Sequence, residues 1–233
     1  MHVWLTQGKI PMIVSMEMKP NAIMQRLTAI LTKTYVSDIK KGTIYSTKKS
    51  NVIHTLKGID DKQPFWVIDG NLSSTVDQIG SLAHELKPNI ILVDGAYLIQ
   101  SDRKGNMRFD EKIKDTCEGM KKRVASRYNI PTVLSYQFNR EATKLSKKEQ
   151  TGLEHISGSD AIGQICSIVL GLFQGDEKSD QLNKKDVMVI KGREGEQGQF
   201  PINWQFNNFP AMNFTEITSK EIEEDAKKDL DHL

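Results

Sequence analysis

Cysteine is almost missing from this chain: Cys117 and Cys166 are the only two among 233 residues. They show no paired metal-ligand spacing, which removes a thiolate metal centre, and both fit a reducing compartment. No apolar stretch approaches the length of a bilayer span, and the N-terminus lacks the pattern of a signal peptide. A bias of charge is lacking too, since 32 Lys and Arg stand against 30 Asp and Glu for a net +2. A surface for a polyanion must therefore be local, not global. There is no internal repeat, and no linker before a charged stretch that begins beyond Thr218. What remains is 38% apolar and 27% charged residues, ordinary for a soluble intracellular domain with a packed core.

The feature that is present and informative is Ile90-Ile91-Leu92-Val93-Asp94, four apolar residues running into a carboxylate. A short continuous apolar run reads as a strand buried on both faces, as in parallel sheets. An aspartate at its end lies at the carboxyl edge of the sheet, where open α/β sheets bind ligands and where nucleotide hydrolases hold Mg²⁺. The alternative is an aspartate that only closes a turn.

Other strands are read at Met12–Val14, Phe65–Ile68, Thr132–Ser135 and Asp186–Ile190. Ala161–Leu172 should end in a further buried strand. Pro20 starts a helix with Ile23, Met24, Leu27, Ile30 and Leu31 on its inner face. Ser73-Ser74-Thr75 can cap a helix through Ile79, Leu82, Ala83 and Leu86, and one long helix should cover Asp110 to Tyr128. The segment up to about Asp61 is charged and small, with no element assigned. Gln199–Trp204 and Phe209–Phe214 look like antiparallel companions of the Asp186 strand. Alternating strands and helices give an α/β fold, a doubly wound and mostly parallel sheet with an antiparallel C-terminal extension.

Three strand ends carry polar side chains that parallel strands bring to one side: Glu17, Asp94 and Gln137. A carboxylate for Mg²⁺, a glutamate to activate water and a glutamine to orient the attacking group form a hydrolytic set. Singly, Glu17 also fits a helix N-terminal carboxylate and Gln137 a satisfied turn amide.

Several motifs together make a resemblance. Ser15-Met16-Glu17-Met18 resembles the SLEM signature of DnaB-type replicative helicases, with Gln25-Arg26-Leu27 at the family's Arg-Leu pair. Asp94-Gly95-Ala96-Tyr97-Leu98 is similar to its Walker B strand and the segment just after that strand. Ser135-Tyr136-Gln137-Phe138-Asn139-Arg140 resembles SQLNR with one residue inserted or substituted. Ile156–Ile162 sits where the family has a Gly-Ser turn, and Lys191-Gly192-Arg193-Glu194-Gly195 resembles KxRxG. Order and spacing agree over residues 10–215.

The resemblance implies a RecA-like P-loop NTPase fold, a truncated motor domain over 1–217 and a charged tail over 218–233. It makes Glu17 the catalytic base, Asp94 the Mg²⁺ ligand and Gln137 the link between γ-phosphate and DNA. Lys191 and Arg193 would reach a neighbouring subunit's ATP, Arg193 as arginine finger; alone they read as a solvated hairpin end. Two polar loops would contact single-stranded DNA through phosphates: one with Arg103, Lys104 and Arg108, the other with Arg140, Lys144, Lys147 and Lys148. Neither has interleaved aromatics for base stacking. The implied setting is a homo-hexamer in a bacterial cytoplasm, encoded by a phage-type gene, with a primase or helicase loader as further partner.

One expected part is missing. The sequence has no G-x-x-x-x-G-K-[ST], and Gln7-Gly8-Lys9-Ile10-Pro11 resembles the linker after the family's P-loop helix. The N-terminal P-loop strand is then absent, and with it the backbone cradle that holds phosphates. A split gene with a complementing P-loop fragment, an incomplete sequence and a degenerate paralogue are the three explanations. Outside the helicase reading stand a non-hydrolysing scaffold and a RecA/RadA-type recombination ATPase, which shares the fold.

Overall fold

Apolar strand runs punctuated by proline and glycine build the sheet of the first unit. In the computed structural model, residues 1–59, 62–72, 75–102, 107–137, 159–174, 184–196 and 198–203 are described. Strand β1 (Pro11–Ser15) follows a short helix α1 (His2–Gln7) that Gly8 ends in a left-handed turn. Helix α2 (Pro20–Thr32) starts on Pro20, as the missing proline N–H costs nothing in a first turn. Two helices come next, α3 (Val36–Lys41) and α4 (Ser46–Lys57), before β2 (Trp66–Asp69). Neither was expected from the sequence, because α4 is rich in lysine and serine and poor in apolar periodicity.

Helix α5 (Val76–Leu86) opens with a reciprocal capping box between Thr75 and Gln78. Then come β3 (Ile90–Asp94), a single 3₁₀ turn (Ala96–Leu98) and α6 (Phe109–Gly119). The long helix expected from Asp110 to Tyr128 is interrupted: after Gly119 it widens into a π-helical segment, Met120–Ser126. Gly119 is where the helix presses on α5, and a Cβ there would lie 3.2 Å from both Val76 methyls. Strand β4 (Thr132–Leu134) and helix α7 (Ser159–Ile165) complete the unit Met1–Cys166.

The sheet is parallel throughout, in the order β2-β1-β3-β4. Its central strands are buried: Met12, Val14, Ile91 and Val93 pack with Ile79, Ala83, Met120 and Val124 from the helices. On α2 the inner face is Ile23 and Ala29; Met24, expected inside, points to solvent.

The second unit, Ser167–Leu233, holds an antiparallel sheet of β5 (Val169–Gln174), β6 (Lys184–Lys191) and β7 (Gly198–Asn203), in that order. β5 is not buried on both faces as expected. Val169 is buried while Leu170 is 60% exposed, so burial alternates as on a one-sided strand. The expected strand at 209–214 and the tail from 218 lie outside the described residues. No described helix is long and apolar enough to cross a membrane.

Gly70 fixes how closely β2 approaches β1. Its N–H donates to Ser15 O at 2.8 Å, and a Cβ there would meet that oxygen at 2.7 Å and Met16 Sδ at 2.4 Å. Because the obstruction is backbone, Gly70→Ala should destabilise the chain by about 1–3 kcal/mol. A urea midpoint left unchanged would contradict this packing.

Candidate functional site

Register brings the strand ends together. Ser15 lies level with Asp94 across the β1–β3 pair, and Val93 pairs with Leu134 across β3–β4. The backbone continues the pairing past the strands: Met16 N donates to Asp94 O, and Ala96 N to Ser135 O. Side chains beyond each end must therefore share one edge of the sheet.

Asp94 is held by two hydroxyls. Ser15 Oγ donates to Asp94 Oδ2 at 3.0 Å and accepts from Met18 N at 3.0 Å, so this fully buried hydroxyl is satisfied both ways. Ser135 Oγ donates to Asp94 Oδ1 at 3.3 Å and accepts from Gly95 N at 2.8 Å. Each carboxylate oxygen keeps a lone pair for a further partner. Gly95 turns the chain with φ +78°, and a Cβ there would come within 3.0 Å of Glu17 Cγ. The left-handed turn and the tight approach both require glycine.

Glu17 belongs to a second cluster. The Tyr97 phenol donates to Glu17 Oε1, and Gln137 Nε2 donates to Tyr97 Oη at 3.2 Å and to Glu17 Oε1 at 3.4 Å. Among the described residues none donates to the other oxygen, Oε2. All three side chains are at least partly open to solvent. The hydrogen bond to Glu17 raises the Tyr97 phenol pKa, with desolvation and the charges of Glu17 and Asp94 adding to it.

Behind β4, Tyr136 turns the opposite way from Ser135 and Gln137. Its hydroxyl meets Cys117 Sγ of α6 at 3.4 Å. Burial first, and then Cys117, push this phenol far above its usual range. The Cys117 thiol pKa is also raised, chiefly by a hydrogen bond with Cys166, and neither cysteine is in a disulfide. Tyr136 thus anchors on the helix the segment that presents Gln137 to the edge.

Glu17, Asp94 and Gln137 are accordingly brought to one sheet edge. Lys191 and Arg193 lie in the second unit, where Lys191 ends β6 and Arg193 stands exposed in the β6–β7 hairpin. That hairpin is ordered by Glu196, which accepts from Glu194 N at 2.9 Å; backbone donors lower its carboxyl pKa. Arg108 precedes α6 and shares its guanidinium with Asp110 at 2.8 Å and Glu111 at 3.8 Å. Arg103, Lys104, Arg140, Lys144, Lys147 and Lys148 lie outside the described residues. Sequence reasoning missed Ser15, Ser135 and Tyr97 as site members; the hydroxyls flanking the strand ends were the available signal.

Among the described residues no three His, Cys, Asp or Glu side chains gather to hold a metal. At this edge Asp94, fixed by two hydroxyls, offers one carboxylate to a cation. That suits Mg²⁺, which commonly takes one or two carboxylates and completes its shell with phosphate and water.

The family model of the DnaB-like helicase C-terminal domain matches residues 2–213. A probable plasmid replicative DNA helicase of Chlamydia psittaci is 25% identical over 214 residues, 89% of this chain and 45% of that protein. Among solved structures, an ATPase domain superposes with a TM-score of 0.75 at 19% identity, over 89% of this chain and 76% of that one. A DnaB-like replicative helicase studied with primase gives 0.74 at 19% identity, over 88% and 52%. The fold is therefore RecA-like, and the chain spans under half the length of the curated relative.

Because Glu17 accepts a hydrogen bond from the Tyr97 phenol, its charge opposes formation of tyrosinate. Glu17→Gln should then move the Tyr97 deprotonation midpoint down toward the ordinary phenol value. The alkaline absorbance difference between each protein and its Tyr97→Phe counterpart measures it; an unmoved midpoint contradicts the contact.

Proposed function

The chain belongs to the DnaB-like helicase C-terminal domain family, and we propose that it forms the motor of a replicative helicase that hydrolyses ATP to move along single-stranded DNA. The observation that carries this reading is the convergence of Glu17, Asp94 and Gln137 on one sheet edge. In this reading Asp94 holds the Mg²⁺ of the bound nucleotide. The ion, when bound, polarises phosphoryl oxygens and offsets their charge.

The chain's own residues do the rest. Ser15 and Ser135 fix the Asp94 carboxylate, so its geometry is set before any ligand arrives. Glu17 accepts the proton of an attacking water at Oε2, the oxygen left open by Tyr97 and Gln137. Gln137 touches the base and also directly precedes the stretch of sequence that carries Arg140, Lys144, Lys147 and Lys148. Nucleotide state and DNA contact would thus share one short stretch of chain.

Lys191 and Arg193 are assigned to ATP held by a neighbouring subunit of a ring, where a planar guanidinium matches phosphoryl oxygens. Arg103, Lys104 and Arg108 are assigned to phosphates of the DNA. The cradle for the nucleotide phosphates is assigned to a P-loop segment outside these 233 residues. A primase or loader as partner and a bacterial cytoplasm as setting complete the reading.

The test is DNA-stimulated MgATP hydrolysis by the chain, alone and with a P-loop segment from a DnaB-like relative. Glu17→Gln should lower kcat by about 10²–10⁴-fold with little change in KM, as expected for loss of a general base. A lack of hydrolysis under both conditions, or turnover indifferent to Glu17, would contradict the reading and favour a non-hydrolysing scaffold.

A further inference from the structure

The segment from Lys33 to Lys57 departs from the balanced charge of the chain. It contains Lys33, Lys40, Lys41, Lys48, Lys49 and Lys57 against a single acid, Asp38, in a protein whose net charge is +2. All six lysines are exposed, and none is ion-paired with another described residue. A solvated helix face ordinarily mixes the two signs and pairs them at i,i+4, as Lys122 and Glu118 do on α6 and its continuation. α4 contains no acidic residue at all.

Helix stability does not account for the arrangement. Lys40 and Lys41 close α3, where the dipole favours cations, but Lys48 and Lys49 open α4, where it disfavours them. Between the two lysine pairs stands Tyr45, with 76% of its surface exposed. Its backbone is fixed at the start of α4: its carbonyl accepts from both Lys48 N and Lys49 N at 2.9 Å. Tyr35, 42% exposed, precedes α3 in the same way and accepts from Asp38 N and Ile39 N. An aromatic ring costs free energy when left in water, and here one stands exposed in the sequence between two pairs of lysines without ion pairs among the described residues.

We propose that the α3–α4 surface is a binding surface for single-stranded nucleic acid, with Lys40, Lys41, Lys48 and Lys49 on phosphates and Tyr45 against a base. Charge complementarity selects a polyanion. An exposed ring between the two lysine pairs selects one that carries flat bases, in preference to an acidic protein segment or an anionic lipid surface. Recognition of this kind is independent of base sequence and strongly dependent on salt. The surface lies outside the Glu17–Asp94 site and uses neither of the two basic sequence segments assigned above. It supplies what those segments lack, an aromatic interleaved with lysines.

The experiment is fluorescence anisotropy of a labelled oligothymidylate of about 20 nucleotides with the 233-residue chain, without nucleotide, across a salt series. Reversing Lys40, Lys41, Lys48 and Lys49 to glutamate should raise Kd at least about tenfold at low salt. It should also flatten the log–log salt slope by about 3. Tyr45→Ala should weaken binding about tenfold and Tyr45→Trp restore it, the signature of stacking. A milder set, the same lysines to glutamine, guards against a charge-reversed variant that fails to fold.

Binding unchanged in both lysine sets overturns the proposal. So does no binding of the oligonucleotide, or equal binding of anionic vesicles with no effect of Tyr45→Ala. Loss confined to a variant of Arg140, Lys144, Lys147 and Lys148 overturns it too, while leaving the proposed function standing. Loss confined to the α3–α4 sets supports it even where no ATP hydrolysis is found.

Discussion

The hydrogen bond from Ser15 to Asp94 is the constraint on which the rest of the site depends. It exists because β1 and β3 run parallel with Ser15 level with Asp94. Ser15 is fully buried, so its hydroxyl must find partners within the fold, and it finds Asp94 on one side and Met18 N on the other. The first bond aims the carboxylate. The second turns the chain sharply after β1 and so delivers Glu17 beside the Gly95 turn. A slip of one residue between β1 and β3 would send Ser15 to the wrong face and separate the two carboxylates.

The remaining features protect that register. Met12, Val14, Ile91 and Val93 are buried at the sheet centre, where any shift would expose them. Gly70 lets β2 lie against the end of β1, and Gly95 lets the chain after β3 pass Glu17. Tyr136 reaches back to Cys117, which leaves Ser135 and Gln137 facing the edge. Apolar packing thus sets the alignment, and a handful of polar bonds converts it into a fixed constellation. This division suits a site that must wait for ligands without rearranging.

Much of this was legible in the sequence, for physical reasons. A buried parallel strand is a run of apolar residues, so Ile90–Asp94 and Pro11–Ser15 announced themselves, and the residues at and beyond their ends had to converge. The helices α3 and α4 did not, because a lysine-rich helix that buries little beyond Val52 leaves no apolar stripe. Met24 was misplaced since period alone cannot say how wide the buried stripe of α2 is. Leu170 and Leu172 read as core in a strand whose outer face is open. Tyr97 was passed over because a tyrosine after a strand ordinarily packs inward, whereas here its hydroxyl turns to Glu17. Family motifs singled out Lys191 and Arg193, which lie at the end of β6 and in the hairpin that follows it.

The central claim is that the ends of β1, β3 and β4 form one site around Asp94. Paramagnetic broadening of backbone amide signals by Mn²⁺, used in place of Mg²⁺, tests it most directly. The account predicts selective loss of the Ser15, Glu17, Gly95, Tyr97 and Gln137 signals, with Ile10 and Asn89 at the opposite sheet edge spared. It also predicts that Asp94→Asn abolishes the effect. Broadening centred elsewhere, or indifferent to Asp94, would contradict it.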